Sequence, residues 1–355
     1  MKPAAGLAPR PAITRLRGRW LEELPASPLR YALTPAWLAM RCAVAWRDWA
    51  FGAGGWRRPQ RLPCPVVSVG NLTVGGTGKT PAVRLVGEVL HELGQRPVVL
   101  SRGYRGSDGA NEEAQLVGDV PVLTDPRRVA AGRRAITDLK ATCLVLDDGF
   151  QHRQLHRDLD IVLIDATDPW GGGALLPLGR LREPRRALSR AQLLWLTRTD
   201  LCAGPALAAL TTELTAFGRP LIASTQGVAT LAGLDGRAHL ADAAATGPVL
   251  LSCGLGNPGG FEATARHAGL AVAGALRWPD HYHYAESDLR ELMARAAALG
   301  ARPVVSAKDA VKLLRLATAQ QAGAILVLHA QPQLVGDGRE RLSAALRAVL
   351  PGGRA

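Results

Sequence analysis

The sequence predicts an α/β protein of two lobes, the first built on a doubly wound parallel sheet and the second smaller, preceded by a basic, tryptophan-rich helix. Three observations carry that expectation. From Pro63 onward short β-branched runs alternate with longer amphipathic segments, the pattern of strands and crossover helices in a parallel sheet. Over 225–247 a Gly-, Ala- and Thr-rich stretch with little periodicity interrupts the alternation and divides it in two. The first sixty residues belong to neither half, because they concentrate the positive charge and the indole side chains.

Residues 1–60 are the basic, Trp-rich segment. Through position 61 the chain carries eleven Lys and Arg against three Asp and Glu, so most of the formal net charge of +13 sits there. Trp20, Trp37, Trp46, Trp49 and Trp56 are five of the eight tryptophans, and a bilayer–water interface favours this pairing of indole with basic side chains. Pro35, Arg41 and Arg47 interrupt any run of the ~20 apolar residues that a spanning helix needs. Residues 31–56 therefore read as a membrane-associated helix lying in or dipping into the interface; a helix packed on the first lobe is the alternative. The charge is not accompanied by an aromatic-studded sheet motif or a zinc finger, so the partners expected are anionic but not nucleic acid. Cys42, Cys64, Cys143, Cys202 and Cys253 are scattered without a CxxC pair and read as small core residues in a reducing compartment. The N-terminus does not resemble a cleavable signal, and a cytoplasmic location is expected.

The first lobe, 61–224, has its strand-like runs at 65–69, 97–100, 143–146, 161–164 and 193–196. A connector of short extended pieces occupies 225–247. The second lobe, 248–355, has apolar runs at 248–251, 303–305 and 324–328, interleaved with helical patterns at 286–299 and 308–316 where Leu and Ala recur at i, i+3 and i+4. The cleft between the lobes is the expected active site.

Residues 65–81, PVVSVGNLTVGGTGKTP, place a buried-type strand, a glycine-rich turn and a helix start in succession. This is a phosphate cradle, formed by Thr73, Val74, Gly75, Gly76, Thr77, Gly78, Lys79 and Thr80. The glycines let backbone N–H groups converge on phosphate oxygens, and the helix N-terminus adds partial positive charge. Lys79 bridges β- and γ-phosphates in such a loop, and the Thr80 hydroxyl binds Mg²⁺. Thr73 stands where the strict spacing has its first glycine. The first lobe is thus P-loop NTPase-like, with ATP and Mg²⁺ as expected cofactors. Asp147 and Asp148 follow the apolar run CLVL and fall at a strand's C-terminal edge, where phosphates sit. Two adjacent carboxylates repel unless a cation neutralises them, which points to the metal; an N-cap role for Asp148 is the alternative.

Seven motifs in order, GNLTVGGTGKTP, LSRGYRG (100–106), VLDDGFQHRQLHRDLDIVLID (145–165), LPLGRLREP (176–184), SCGLGNPGGF (252–261), RWPDHYHY (277–284) and SAKDAVKL (306–313), resemble those of the tetraacyldisaccharide 4′-kinases, the lipid A 4′-kinase family. The resemblance runs from about Pro25 to the C-terminus. It implies transfer of the γ-phosphate of ATP to the 4′-hydroxyl of an acylated disaccharide 1-phosphate, at the cytoplasmic face of the inner membrane. It also implies two α/β/α lobes, a two-stranded connector and an N-terminal helix on the membrane lipid surface. Lys79 and Thr80 match phosphate and Mg²⁺ ligands. Asp147 and Asp148 match paired aspartates that organise the metal and the catalytic site. Glu183 matches a glutamate near the metal, although among Arg180, Arg182, Arg185 and Arg186 it reads on its own as a surface residue. Asp119, in LVGDVP, and His281, in RWPDHYHY, match a dyad that receives the acceptor's proton, one member from each lobe. Which of the two takes it stays open.

Two positions depart from the pattern: Val120 replaces a frequent Glu, and Tyr282 replaces a second His, with His283 next to it. Asp280 either orients His281 or caps the following helix. His152 and His156 have the i, i+4 spacing of two ligands on one helical face, but no third ligand accompanies them. A substrate-contacting role for His152 is favoured over zinc. Arg102 either meets a phosphate or is solvated. Two competing functions remain: a P-loop kinase or NTPase acting on a soluble substrate, and a nucleotide-gated membrane adaptor that binds ATP without transferring phosphate.

Overall fold

The computed structural model describes residues 29–52, 54–75, 77–103, 120–227, 229–236, 239–240, 246–255, 258–279 and 282–351. It opens with helix α1 (Leu29–Ala50), which contains Pro35. Among the described residues no helix is long and apolar enough to cross a membrane.

The first sheet has eight strands in the order β14-β7-β6-β5-β1-β4-β2-β3. These are β1 (Val66–Asn71), β2 (Pro97–Ser101), β3 (Val122–Thr124), β4 (Cys143–Asp147), β5 (Leu159–Asp165), β6 (Leu193–Thr197), β7 (Leu221–Thr225) and β14 (Gln333–Leu334). All pairs are parallel except the antiparallel edge of β14 on β7. Its central strands are apolar at consecutive positions because both faces are covered. Val67 and Val145 pack with Val83, Val86 and Leu90 of α2 (Lys79–Glu92), while their neighbours Val66 and Leu144 pack on the opposite face with Ala131 and Ala135 of α3 (Arg128–Asp138). That alternation is the period-2 geometry of a strand and makes the lobe doubly wound. Helix α4 (Gly204–Thr215) buries Leu210 and Leu214 with Phe150, Val162 and Leu194.

The second sheet has the order β11-β10-β12-β13-β8-β9, from β8 (Ala229–Gly233), β9 (His239–Leu240), β10 (Pro248–Cys253), β11 (Ala271–Arg277), β12 (Arg302–Ser306) and β13 (Leu326–Ala330). Helices α5 (Pro258–His267), α6 (Glu286–Ala298), α7 (Ala307–Leu314) and α8 (Ala319–Ala324) accompany it. Strands β10 to β13 are parallel, and β8 and β9 continue the sheet antiparallel. The 225–247 stretch therefore adds two strands to this sheet as well as linking the lobes.

The chain's end departs from the expected division, which gave all of 248–355 to the second lobe. β14 joins the first sheet, and α9 (Gly338–Arg347) seats Leu342 and Leu346 in the core of α2 and β1. The tail carries its own amphipathic stripe, and the uncovered face beside β7 is where that stripe is buried.

Candidate active site

Strand β1 delivers the chain to the sheet's C-terminal edge, and the phosphate loop turns there into α2. Gly75 has φ +128° and Gly78 φ +83°, values that a side chain resists, and Gly78 is the left-handed residue directly before the helix. Segment 180–182 braces the loop from outside: the Val74 N–H donates to the Arg180 carbonyl at 2.7 Å and the Arg182 N–H to the Leu72 carbonyl at 2.7 Å.

Lys79, at the start of α2, donates to Asn71 Oδ1 at 3.1 Å and lies 3.6 Å from Asp148 Oδ1. Arg182 grips Asp148 with two bonds of 2.7 and 3.0 Å, and its Nη2 also reaches Asn71 Oδ1 at 2.6 Å. Lys79, Asn71, Asp148 and Arg182 thus form one network, in which the Lys79 ammonium is held by an acid that shares a second cation. Asp148 has φ +54°, and no helix follows it, so it is not a helix cap. Burial works against its charge, but the Lys79 ammonium and the Arg182 guanidinium hold its carboxyl below the usual range. Burial lowers the Lys79 ammonium despite Asp148 beside it.

Asp147 ends β4, the strand next to β1. Burial, then the neighbouring Asp148 charge, raise its carboxyl, and its Oδ1 is buried without a hydrogen-bond partner. Thr77 Oγ1 in the loop is buried and unpartnered too. A buried acid oxygen left unsatisfied costs free energy unless a cation or donor arrives. The residues present therefore fit a bound nucleotide with Mg²⁺: glycines that open the loop, Lys79 at its end, and an unsatisfied carboxylate on the adjacent strand.

Glu183, a further expected metal ligand, lies in a buried ion group, and its Oε1 has no hydrogen-bond partner. Glu183 is fully buried and its Oε2 is taken by two guanidiniums, Arg190 at 2.7 Å and Arg47 of α1 at 3.0 Å. Among the described residues no hydrogen bond or ion pair joins it to Lys79, Asp147 or Asp148. Arg182 meets Asp148 and Asn71 beside the phosphate loop, whereas Glu183 next to it meets Arg190 and Arg47. Thr80 lies in the first turn of α2, where the loop motif needs it.

Asp119, His281, Gly76 and Asp280 lie outside the described residues. Their neighbours explain both departures from the family pattern. One Val120 methyl sits against α2, 2.8 Å from where a Cβ on Gly87 would lie, so a half-buried apolar residue packs on the helix here. Tyr282 stacks on Trp278 with ring centroids 4.8 Å apart, meets Tyr284 edge-on, and extends its hydroxyl to Asp288 at 3.3 Å. It is a packing residue where the pattern has an imidazole.

His152 and His156 lie in irregular chain outside any helix, so their spacing does not place them on one helical face. His156 lies 3.3 Å from Asp158. Burial, with Arg128, Arg157 and Arg102 around it, lowers His152 to about 4, which makes it a neutral imidazole at physiological pH. Asn71 and Arg182, the hub of the site, were not singled out by sequence reasoning. An Asn ending a buried apolar strand immediately before the loop is the signal that was available, since a fully buried amide needs partners.

A parallel strand, a glycine loop, a Lys-Thr helix start and an acidic neighbour strand define a P-loop phosphate-binding protein. A profile of the tetraacyldisaccharide-1-P 4′-kinase family matches residues 29–350. The tetraacyldisaccharide 4′-kinase of Anaeromyxobacter sp. (strain Fw109-5) is 42% identical over 317 residues, covering 82% of this chain and 84% of that one. That of Geobacter metallireducens is 40% identical over 296 residues, covering 76% and 85%. A crystal structure of LpxK from Aquifex aeolicus in complex with ATP is similar with a TM-score of 0.70 at 27% identity, covering 91% of this chain and 100% of that chain. The chain belongs to the tetraacyldisaccharide 4′-kinase family.

Proposed function

We propose that this protein transfers the γ-phosphate of ATP to the 4′-hydroxyl of a tetraacyldisaccharide 1-phosphate in lipid A biosynthesis, working on the cytoplasmic face of the inner membrane. The observation that carries the reading is the network of Lys79, Asn71, Asp148 and Arg182 beside the unsatisfied Asp147 oxygen, at the loop where a nucleotide's phosphates bind. Mg²⁺, when bound, neutralises charge on the β- and γ-phosphates and orients them. Thr80 and Asp147 would hold it, and Lys79 would reach the phosphates. Asp148, kept ionised by its two cations, fixes the Lys79 ammonium in place. Asp119 and His281 serve the acceptor: one of them receives the hydroxyl proton as the oxygen attacks phosphorus, and the other orients it.

An acylated acceptor explains α1. Tyr31, Trp46, Trp49 and Trp56 are all more than half exposed on this helix and the turn after it. Arg57 lies over both the Trp46 and Trp56 rings, at 5.4 and 4.8 Å. Indoles backed by a guanidinium suit the headgroup region of a lipid surface, and extracting acyl chains costs ~0.8 kcal/mol per CH₂, so the enzyme must work at the bilayer. The test compares acceptors at fixed ATP and Mg²⁺. The acylated disaccharide 1-phosphate in mixed micelles is expected to be phosphorylated, and soluble unacylated sugars are not; equal use of soluble sugars by a protein lacking residues 1–60 would favour the soluble-substrate alternative.

A further inference from the structure

The Glu183 carboxyl is shut away from solvent, at 0% exposure, with two guanidiniums against it. Arg190 and Arg47 both bond its Oε2, and Arg190 in turn lies over the buried Phe150 ring at 4.5 Å. A buried ion group of this kind is weak support for stability, because desolvation offsets most of the attraction, but it fixes geometry. What it fixes here is the junction of three segments. Arg47 belongs to α1. Glu183 directly follows the 180–182 brace, whose Arg182 holds Asp148 and Asn71. Phe150 lies two residues after Asp148, and a Cβ on Gly70 of β1 would sit 2.7 Å from Phe150 Cβ.

A second tie runs parallel to the first. Asp48, next to Arg47, lies 3.3 Å from Arg153, which extends the same 147–153 segment, and Arg153 also lies over the Phe51 ring at 5.8 Å. The last turn of α1 is therefore bonded to both stretches of chain that supply the site's acid and its cation partner.

We infer that Glu183 is a positioning residue, which through Arg47 makes the phosphate loop's geometry depend on the seating of α1. Seated, Arg47 and Arg190 anchor Glu183 and so hold its chain neighbour Arg182 against Asp148. Released, the brace loses its anchor at the residue next to Arg182. The inference rests on the kinase reading of the site, and it gives the interfacial helix a second task besides bringing the protein to lipid.

The experiment uses the full chain with ATP, Mg²⁺ and the acylated disaccharide 1-phosphate in mixed micelles, and compares Glu183→Gln, Arg47→Ala, Arg47→Lys and the Glu183→Gln/Arg47→Ala double variant. Turnover in the unaltered protein establishes the kinase reading separately; without it, that reading fails and not this inference. Arg47 is 22% exposed, so Arg47→Ala keeps the test open even if Glu183→Gln does not fold. Expected is a fall in kcat of about ten- to a hundredfold for Arg47→Ala and for Glu183→Gln, as for a site displaced by a fraction of an ångström to 1 Å. ATP affinity should fall with it, while the Mg²⁺ concentration for half-maximal rate stays within about twofold of the unaltered protein. Arg47→Lys should recover most of the rate, and the double variant should be no worse than the worse single one, because both act through one contact. Two results would overturn the inference. One is a rise of more than about tenfold in Mg²⁺ requirement for Glu183→Gln with Arg47→Ala unimpaired, which would make Glu183 a metal ligand. The other is a normal rate per folded molecule in both single variants.

Discussion

Gly70→Ala is the perturbation that most sharply reports how tightly the acidic turn is packed on the phosphate-loop strand. Gly70 lies in β1, one residue before Asn71. A Cβ placed there would be 2.7 Å from Phe150 Cβ and 2.9 Å from the Phe150 amide nitrogen, about 0.5–0.7 Å short of ordinary contact. Phe150 has no room to yield, being fully buried beneath the Arg190 guanidinium. Gly149 before it already lies close to β1, since its own Cβ would come within 2.8 Å of Ser68 Oγ. The added methyl must therefore push the 148–150 turn outward by about half an ångström, carrying Asp148 away from Lys79 and Arg182. Overpacking of this kind costs about 1–3 kcal/mol of stability. A displacement of that size at a phosphoryl-transfer site costs about tenfold to a hundredfold in rate. The assay is transfer of labelled phosphate to the disaccharide at saturating ATP, with thermal unfolding measured on the same preparation. A variant that melts and turns over like the unaltered protein would show that the turn is not held against β1 as described.

Other consequences follow from the same geometry. Asp147→Asn should raise the Mg²⁺ concentration for half-maximal rate by about tenfold or more, because it removes one full charge from the metal's site. In metal-free buffer it should raise the melting temperature by about 2 °C. The sign comes from burial and the Asp148 charge, which raise the Asp147 carboxyl: its ionisation burdens the folded state at neutral pH, and that burden lifts as pH falls through the raised value. A lower melting temperature without metal would contradict the assignment. His152 behaves in the opposite sense, since its folded value near 4 lies below the ordinary 6.5. The unfolded chain binds the extra proton first, so stability is lost as pH falls from about 6.5 to about 4, by at most about 3 kcal/mol for this group. His152→Gln should flatten that slope in acid-unfolding curves; an unchanged slope would place the titrating group elsewhere. Replacing Trp46 and Trp49 with Ser should weaken sedimentation with anionic vesicles by about tenfold, as expected for losing apolar area at an interface. Unaltered sedimentation would move the lipid-facing surface off α1.

The sequence made the first lobe legible because its strands are buried on both faces. Runs such as CLVL and IVLI have no polar interruption, and the GKT turn marks where the first crossover helix begins. The less visible strands are those whose burial comes from elsewhere. β3 is three residues long and only partly buried, while β7 shows buried positions only at Ile222 and Ser224. β11 is an edge strand with exposed alternate positions, and its AVAGALR lacks the β-branched density of the others. The return of 333–350 to the first lobe was hidden for a different reason: amphipathic periodicity shows that a helix has an apolar face but not which sheet receives it. At the site, the Lys and the acids were recognisable by type and spacing. Arg182 was not, because five arginines stand within 180–190 and only three-dimensional placement shows which one meets Asp148. The same placement shows that Glu183, next to Arg182, meets Arg47 and Arg190, a pairing no spacing in the sequence displays.

The most direct test of the account locates the transferred group. The protein is incubated with ATP, Mg²⁺ and tetraacyldisaccharide 1-phosphate in micelles, and the product is examined by ³¹P NMR, beside Lys79→Ala. A new phosphomonoester on the 4′ oxygen, made by the unaltered protein and lost in Lys79→Ala, is the predicted result. ATP consumed with no phosphate on that oxygen, or transfer that persists without the Lys79 ammonium, would contradict it.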